Sequence, residues 1–191
     1  MEFNISLLQK GDEREFARLV QYFGPKVYST CFFLLQSKTD AEDVAQEVFT
    51  TVFVSLPKFK GESSISTWIY RIAVNKCTEF KRFNSRQKRF GLFVAISDFL
   101  NISVEKKPDD FLLEDERKLM LLKCLDELPE NQKIAYTLFH FEDKSYAEIC
   151  EIMETTLGAV ESLMFRAKQQ LKIKLSERLK DEPKEKPKND F

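Results

Sequence analysis

The feature that most constrains this chain is the spacing of its apolar residues, which recur three and four positions apart through most of its length. Phe16, Leu19, Val20 and Phe23 stand at i, i+3, i+4 and i+7, the repeat of a helix that buries one stripe. Gly24-Pro25 punctuates the pattern, and Val27, Tyr28, Cys31, Phe32 and Leu35 resume it. Asp12 is placed to cap the first segment. Thr39 and Glu42 have the Thr-x-x-Glu spacing of a capping box that opens a helix reaching about Leu56. Pro57, Gly61, Ser63, Ser64 and Ser66 predict a loop, and a further helix runs from about Thr67 past Arg82. Five glycines and six prolines in 191 residues leave long helices at little backbone cost, so the expected fold class is all-α.

From about Asn84 to Asp110 the pattern breaks. Arg86, Lys88 and Arg89 lead into the apolar stretch Phe90 to Ile96, then Phe99, Ile102 and Lys106-Lys107-Pro108-Asp109-Asp110. Such a tether, richer in Phe and Ile than disordered linkers are, is suited to docking on a surface. Periodicity returns with Leu112, Leu119, Leu122, Leu125 and Leu128. The expected organisation is a helical bundle over 1–90, a linker over 91–111, a second small helical domain over 112–178, and a disordered charged tail over 179–191, where Lys, Glu, Asp and Pro alternate.

The second domain carries a recognisable arrangement. Ser145-Tyr146-Ala147-Glu148 is a capping-box sequence that starts a short helix with Tyr146, Ile149 and Ile152 inward. A turn at about Glu154 to Thr156 follows, and Thr156 can cap a second helix whose stripe is Val160, Leu163, Ala167 and Leu171, with Met164 at its edge. Short helix, tight turn, longer helix is the helix-turn-helix order, in which the second helix enters the major groove. Off the stripe lie Ser162, Phe165, Arg166 and Gln169, with Lys168, Lys172 and Lys174 adding charge. An exposed aromatic beside an arginine suits a thymine methyl and a base edge or phosphate; the bland alternative is a solvated helix face.

The first domain divides its charge between neighbouring helices. Between Lys58 and Arg89 nine lysines and arginines face Glu62 and Glu79, and Arg71, Asn75, Thr78 and Arg82 form one polar stripe opposite Ile69, Ile72, Ala73 and Phe80. A basic stripe under a Ser/Gly-rich loop can grip phosphates and hold an unstacked base, although a solvated face has the same composition. The preceding helix has the opposite sign: Asp43, Gln46, Glu47 and Thr50 line one face while Val44, Val48, Phe49 and Val52 turn inward. Carboxylates there would repel DNA and fit a protein partner with a basic helix.

Composition bears on the other function classes. The formal net charge is -1, whereas a free-standing DNA binder draws its non-specific affinity from a basic excess. A stand-alone regulator would also need a dimer seam, and no sustained heptad is present. An enzyme is disfavoured: His140 is the one histidine, no nucleophile has a base at recognisable spacing, and there is no Gly-rich phosphate loop. Cys31, Cys77, Cys124 and Cys150 are too scattered for a metal site and read as small hydrophobes in a reducing compartment. No metal, cofactor, signal segment or membrane insertion is expected.

These stretches together resemble a known family. Asp40-Ala41-Glu42-Asp43-Val44-Ala45-Gln46-Glu47-Val48-Phe49 resembles the region 2.2 motif of the extracytoplasmic-function (ECF) sigma factors. Phe59-Lys60-Gly61 and Thr67-Trp68-Ile69-Tyr70-Arg71-Ile72-Ala73-Val74-Asn75 resemble regions 2.3 and 2.4. Leu128-Pro129-Glu130-Asn131-Gln132 and the stretch from Ser145 to Lys168 resemble region 4. The order and spacing match from about Gly11 to Leu175. The resemblance implies a bacterial, cytoplasmic initiation factor that binds core RNA polymerase and promoter DNA, with room for an anti-sigma factor as a further partner. It implies that Asp40, Asp43, Gln46 and Glu47 meet the clamp helices of the largest subunit, and that region 4 meets the flap. Lys60, Ser63 and Ser64 in the loop to Ser66 would hold a flipped minus-ten base, with Arg71, Asn75 and Arg82 on the strand. Thr156, Ser162, Phe165, Arg166 and Lys168 would meet the minus-35 element, and the tether would thread toward the RNA exit path. Trp68 fits core packing better than duplex melting, since it shares a face with Ile72 and Trp buries a large apolar area. Glu161 and Leu163 stand where family members often carry basic residues, and Glu161 removes a phosphate contact.

Overall fold

A computed structural model describes residues 2–95 and 116–181, in which eight α-helices and one 3-10 turn follow one another without a strand among the described residues. They are α1 (Ile5–Gln9), α2 (Glu13–Leu35), α3 (Lys38–Ser55), the turn Leu56–Lys58, α4 (Ile65–Ala95), α5 (Glu116–Asp126), α6 (Glu130–His140), α7 (Tyr146–Met153) and α8 (Leu157–Asp181). The expected all-α class is observed. Most of the linker expected over 91–111, and all but the start of the tail expected over 179–191, lie outside the described residues.

The helix starts follow local chemistry. Asp12 caps α2 by accepting from the Glu15 N–H at 2.8 Å. Ser145 and Glu148 form the reciprocal capping box of α7, and Thr156 Oγ1 accepts from the Ala159 N–H at 3.3 Å at the start of α8. Three expectations change. Ser37, not Thr39, caps α3, accepting from the Asp40 N–H; its extended backbone directs the hydroxyl at the free amides, whereas Thr39 already lies inside the first turn. Ser64 caps α4 by accepting from the Thr67 N–H at 3.0 Å, so the helix opens before Thr67, and it continues past Asn84 to Ala95.

Gly24-Pro25 does not break α2. The buried stripe Leu19, Phe23, Val27, Cys31 and Leu34 keeps phase straight through it. Pro25 is exposed, so the carbonyl of Gln21 that loses its helical donor can turn to water, and packing on the other side holds the helix together.

The core sits where α2, α3 and α4 pack on one another, and it does not stop at the domain boundary. Leu19, Val27, Val44, Val48, Ile69 and Ala73 belong to one buried cluster with Ile134, Leu138, Ile149, Ile152, Val160 and Met164 from α6, α7 and α8. A smaller cluster of Cys124, Leu125, Leu128, Ala167 and Leu171 joins α5 to α8. Met164, expected at the stripe edge, is buried, while Leu163 is only half-buried. Cys31, Cys77 and Cys124 are buried free thiols, filling core positions as small hydrophobes do.

Candidate nucleic-acid interface

The turn of the helix-turn-helix is made without glycine. Glu154 takes the left-handed conformation at φ 51°, ψ 50°, and its N–H donates to the Cys150 carbonyl at the end of α7. Non-glycine residues adopt this conformation at a cost, offset here by Ile149 and Ile152 on one side of the turn and Val160 on the other, all almost fully buried. With Val160, Met164, Ala167 and Leu171 fixing the inner face of α8, the outer face is determined. Phe165 is 68% exposed, Arg166, Lys168 and Thr156 are exposed and Ser162 is half-buried. Lys168 Nζ lies 5.5 Å from the centre of the Phe139 ring, and with burial its charge lowers the pKa of neighbouring His140. Glu161 is exposed on the same helix.

In the first unit α3 turns Asp43, Gln46 and Glu47 to solvent with Asp40 half-buried at its start. Beside them α4 presents its basic stripe: Asn75 and Arg82 are exposed, Arg71 and Thr78 half-buried. The two charged faces touch where Lys76 Nζ lies 3.8 Å from Glu47 Oε2. The loop between them is fixed at its base, where Gln9 Nε2 donates to the Phe59 carbonyl at 2.7 Å. Phe59 and Trp68 pack with ring centres 5.0 Å apart, so Trp68 serves the core as the sequence favours. Gly61 takes φ 73°, a conformation that a side chain would strain. Lys60 and Ser64 are exposed and Ser63 is half-buried. The Ser64 hydroxyl, besides capping α4, donates to Thr67 Oγ1 at 2.9 Å.

Arg71 is not free. Its Nε and Nη2 both donate to the carbonyl of Glu151 in the last turn of α7, at 3.0 and 2.7 Å, and Nη1 lies 3.7 Å from Glu154 Oε1. Nearby, Tyr70 donates its hydroxyl to Glu142 Oε2 at 2.6 Å, and Lys144 Nζ donates to Ser66 Oγ at 2.9 Å. Phe33 stacks on Phe141 with ring centres 3.9 Å apart and planes at 12°. Burial raises the Glu142 carboxyl above its ordinary range, against the opposing pull of the hydrogen bond from Tyr70 and the charge of Lys144. Burial and Glu142 together raise the Tyr70 hydroxyl. Sequence reasoning did not find this seam. Phe141 to Lys144 is a short turn without periodicity, and its hydrogen-bond partners lie 72 and 78 residues away along the chain.

An acidic helix beside a basic one, joined to a helix-turn-helix with an exposed aromatic and arginine, is an arrangement suited to a DNA-binding protein. Residues 19–87 match the family described as Sigma-70 region 2, and residues 118–171 match Sigma-70, region 4. The chain is 32% identical over 176 residues to the ECF RNA polymerase sigma-E factor of Escherichia coli K12, covering 90% of this chain and 92% of that one. It is 32% identical over 177 residues to the protein of the same name from Haemophilus influenzae, covering 90% and 93%. Two solved structures share the fold. CnrH in complex with the cytosolic domain of CnrY superposes with a TM-score of 0.67 at 19% identity, over 91% of this chain and 95% of that one. The sigma factor RpoE in complex with the anti-sigma factor NepR from Bartonella quintana gives 0.62 at 21%, over 85% and 98%. The chain belongs to the ECF sigma factors of the sigma-70 family. It is therefore a promoter-recognition factor for transcription initiation by RNA polymerase. Among the described residues no helix is long and apolar enough to cross a membrane.

Proposed function

We propose that the faces described above divide the work of initiation among them. Asp40, Asp43, Gln46 and Glu47 dock on the clamp helices of the polymerase's largest subunit, and the α5–α8 domain docks on the flap. Lys60, Ser63 and Ser64 hold a flipped minus-ten base while Arg71, Asn75 and Arg82 follow the non-template strand. Thr156, Ser162, Phe165, Arg166 and Lys168 meet the minus-35 element in the major groove. Residues 1–90 and 112–178 act as two units joined by 91–111, with 179–191 as a tail. The chain does no chemistry itself, works in the cytoplasm beside the polymerase and can be the target of an anti-sigma factor.

The observation that carries this reading is the opposition of two faces on α8. Val160, Met164 and Ala167 are at most 1% exposed, while Phe165 at 68% stands beside an exposed Arg166. A large aromatic held in water on a rigid helix has no folding role to explain it, and contact with base methyls supplies one. The test is transcription by purified core polymerase with and without the chain. Promoter-dependent transcripts are expected only with it. Exchange of Gly61-Glu62-Ser63-Ser64 for the loop of another ECF factor is expected to change the favoured minus-ten base without changing core affinity. An unaltered preference across a panel of minus-ten variants would remove the loop from the promoter-reading surface.

A further inference from the structure

We propose that Gln9 is a positioning residue for minus-ten base selection, holding the base-reading loop in place from α1, a helix that carries none of the residues assigned to DNA or polymerase. The inference rests on the division of roles given above and deepens it at the loop. Lys60, Ser63 and Ser64 can discriminate between bases only while the backbone that carries them keeps one position. The loop itself supplies little of that restraint. Lys60 and Glu62 pair at 3.9 Å with side chains 79% and 81% exposed, and the Ser63 hydroxyl reaches the Ser64 carbonyl at 3.5 Å, beyond the usual range of a hydroxyl donor. Its position is therefore set by its two ends.

At the far end the Ser64 hydroxyl is tied twice to buried Thr67. At the near end Phe59 is held at three points. Its N–H donates to the Leu56 carbonyl at 3.0 Å, its ring packs on Trp68, and its carbonyl accepts from Gln9 Nε2 at 2.7 Å. The third contact governs the loop. Phe59 has ψ 117°, and that angle decides at once where the carbonyl points and where Lys60 begins, because both lie in one peptide plane. Gln9 has a fixed origin of its own. α1 has five residues, far below the length at which an isolated helix holds in water, so tertiary contacts must fix it. Leu8 is 2% exposed in the core, and α1 packs against the turn Leu56–Lys58. The Asn4 N–H donates to Glu15 Oε1 at 2.8 Å, and the nearly buried Glu15 carboxylate is held by Arg18 at 2.6 Å. α1 is thus anchored on α2, and its amide reaches a carbonyl 50 residues later in the chain.

The test uses the full chain as wild type, Gln9→Met and Gln9→Lys. Methionine keeps the length and bulk of the side chain and removes the donor, whereas lysine restores a donor. Trp68, the one tryptophan of the chain, touches Phe59 and reports on the near end of the loop. Acrylamide should quench its fluorescence more readily in free Gln9→Met than in wild type, and Gln9→Lys should behave as wild type does. The second readout is transcription with saturating chain and core polymerase across the panel of minus-ten variants. The ratio between the best promoter and the next should fall by about two- to tenfold in Gln9→Met, the range of one hydrogen bond's net contribution, and recover in Gln9→Lys. Core affinity and minus-35 preference should not change. A ratio between promoters is independent of how much chain is folded, so a residue that only stabilised the fold would leave it untouched.

A wild-type ratio in Gln9→Met would overturn the inference. So would a fall that Gln9→Lys leaves uncorrected, because packing and not the donated hydrogen bond would then be responsible. Failure of the underlying reading looks different: the loop exchange described above would leave the base preference unaltered, whatever Gln9→Met does to Trp68.

Discussion

Reversing the charge of the α3 face, by Asp43→Lys with Glu47→Lys, should separate polymerase binding from folding. Both side chains are exposed, and the Glu47 carboxylate lies 3.8 Å from Lys76 Nζ while remaining 64% exposed. An exposed pair of this kind contributes about 0–1 kcal/mol. Lysine is at least as good a helix former as aspartate or glutamate. The fold should therefore lose about 1 kcal/mol, or roughly 2–4 °C in Tm for a chain of this size. Binding should respond far more. A carboxylate about 4 Å from a cationic partner gains about 1–4 kcal/mol at surface dielectrics, and reversal replaces attraction with repulsion, so each site changes by at least about 2 kcal/mol. Two sites give about 4 kcal/mol, close to a thousandfold in Kd. The assay is titration of core polymerase with fluorescently labelled chain, beside circular dichroism and thermal melts of the same preparations. Salt supplies an internal control, since screening should weaken the wild-type complex and not the residual binding of the variant. Wild-type core affinity in the double variant would refute the assignment of this face, and so would lost affinity accompanied by collapse of the helical transition.

Arg166→Ala should weaken minus-35-dependent transcription by about 1–3 kcal/mol if the guanidinium reads a base edge; a uniform loss across promoters, with the salt slope reduced by about one, would place it on phosphate instead, and unchanged transcription from every cognate promoter would remove α8 from the reading surface. Glu142 predicts a pH dependence whose sign follows from its raised pKa. The folded state holds that proton more tightly than the unfolded one, so this contribution is complete below the ordinary glutamate value of about 4.3 and lost as pH rises through the raised value. The gap in urea midpoint between wild type and Glu142→Gln, where Tyr70, Ser29, Thr30, Asp143 and Lys144 remain as neighbours, should therefore move in favour of wild type on acidification from pH 7 to 5, and a constant gap would contradict it. Ile149→Ala, at a fully buried position in the cluster that joins α4 to α7 and α8, should cost about 2–5 kcal/mol of unfolding free energy; a loss under about 1 kcal/mol would mean that the shared core is not closed in solution.

Much of the molecule was legible along the chain. Asp12, Ser145, Glu148 and Thr156 announce helix starts because a cap is a contact over three residues, and the structure places each one so. The acidic face of α3 and the basic stripe of α4 followed from a period of 3.6 alone. So did the outward direction of Phe165, because the apolar stripe of α8 leaves it nowhere else to point. Where local reading failed, packing had overruled it: Pro25 is accommodated because the buried stripe of α2 runs unbroken past an exposed proline. Ser37 rather than Thr39 caps α3 because of a backbone angle that composition does not encode.

The sequence by itself determined the helices, their inner and outer faces and the charge on each surface, all of which depend on neighbours within about four residues. Only the tertiary structure decided what those surfaces face. Two units that look separate in sequence share one core, and Arg71, an open cationic contact by its spacing, is bonded to a helix carbonyl 80 residues later in the chain. The physical reason is range. Helical periodicity is a local property, whereas the meeting of Tyr70 with Glu142 or Phe33 with Phe141 depends on how whole helices pack, and any surface with complementary groups can be covered without a mark at either position in the sequence.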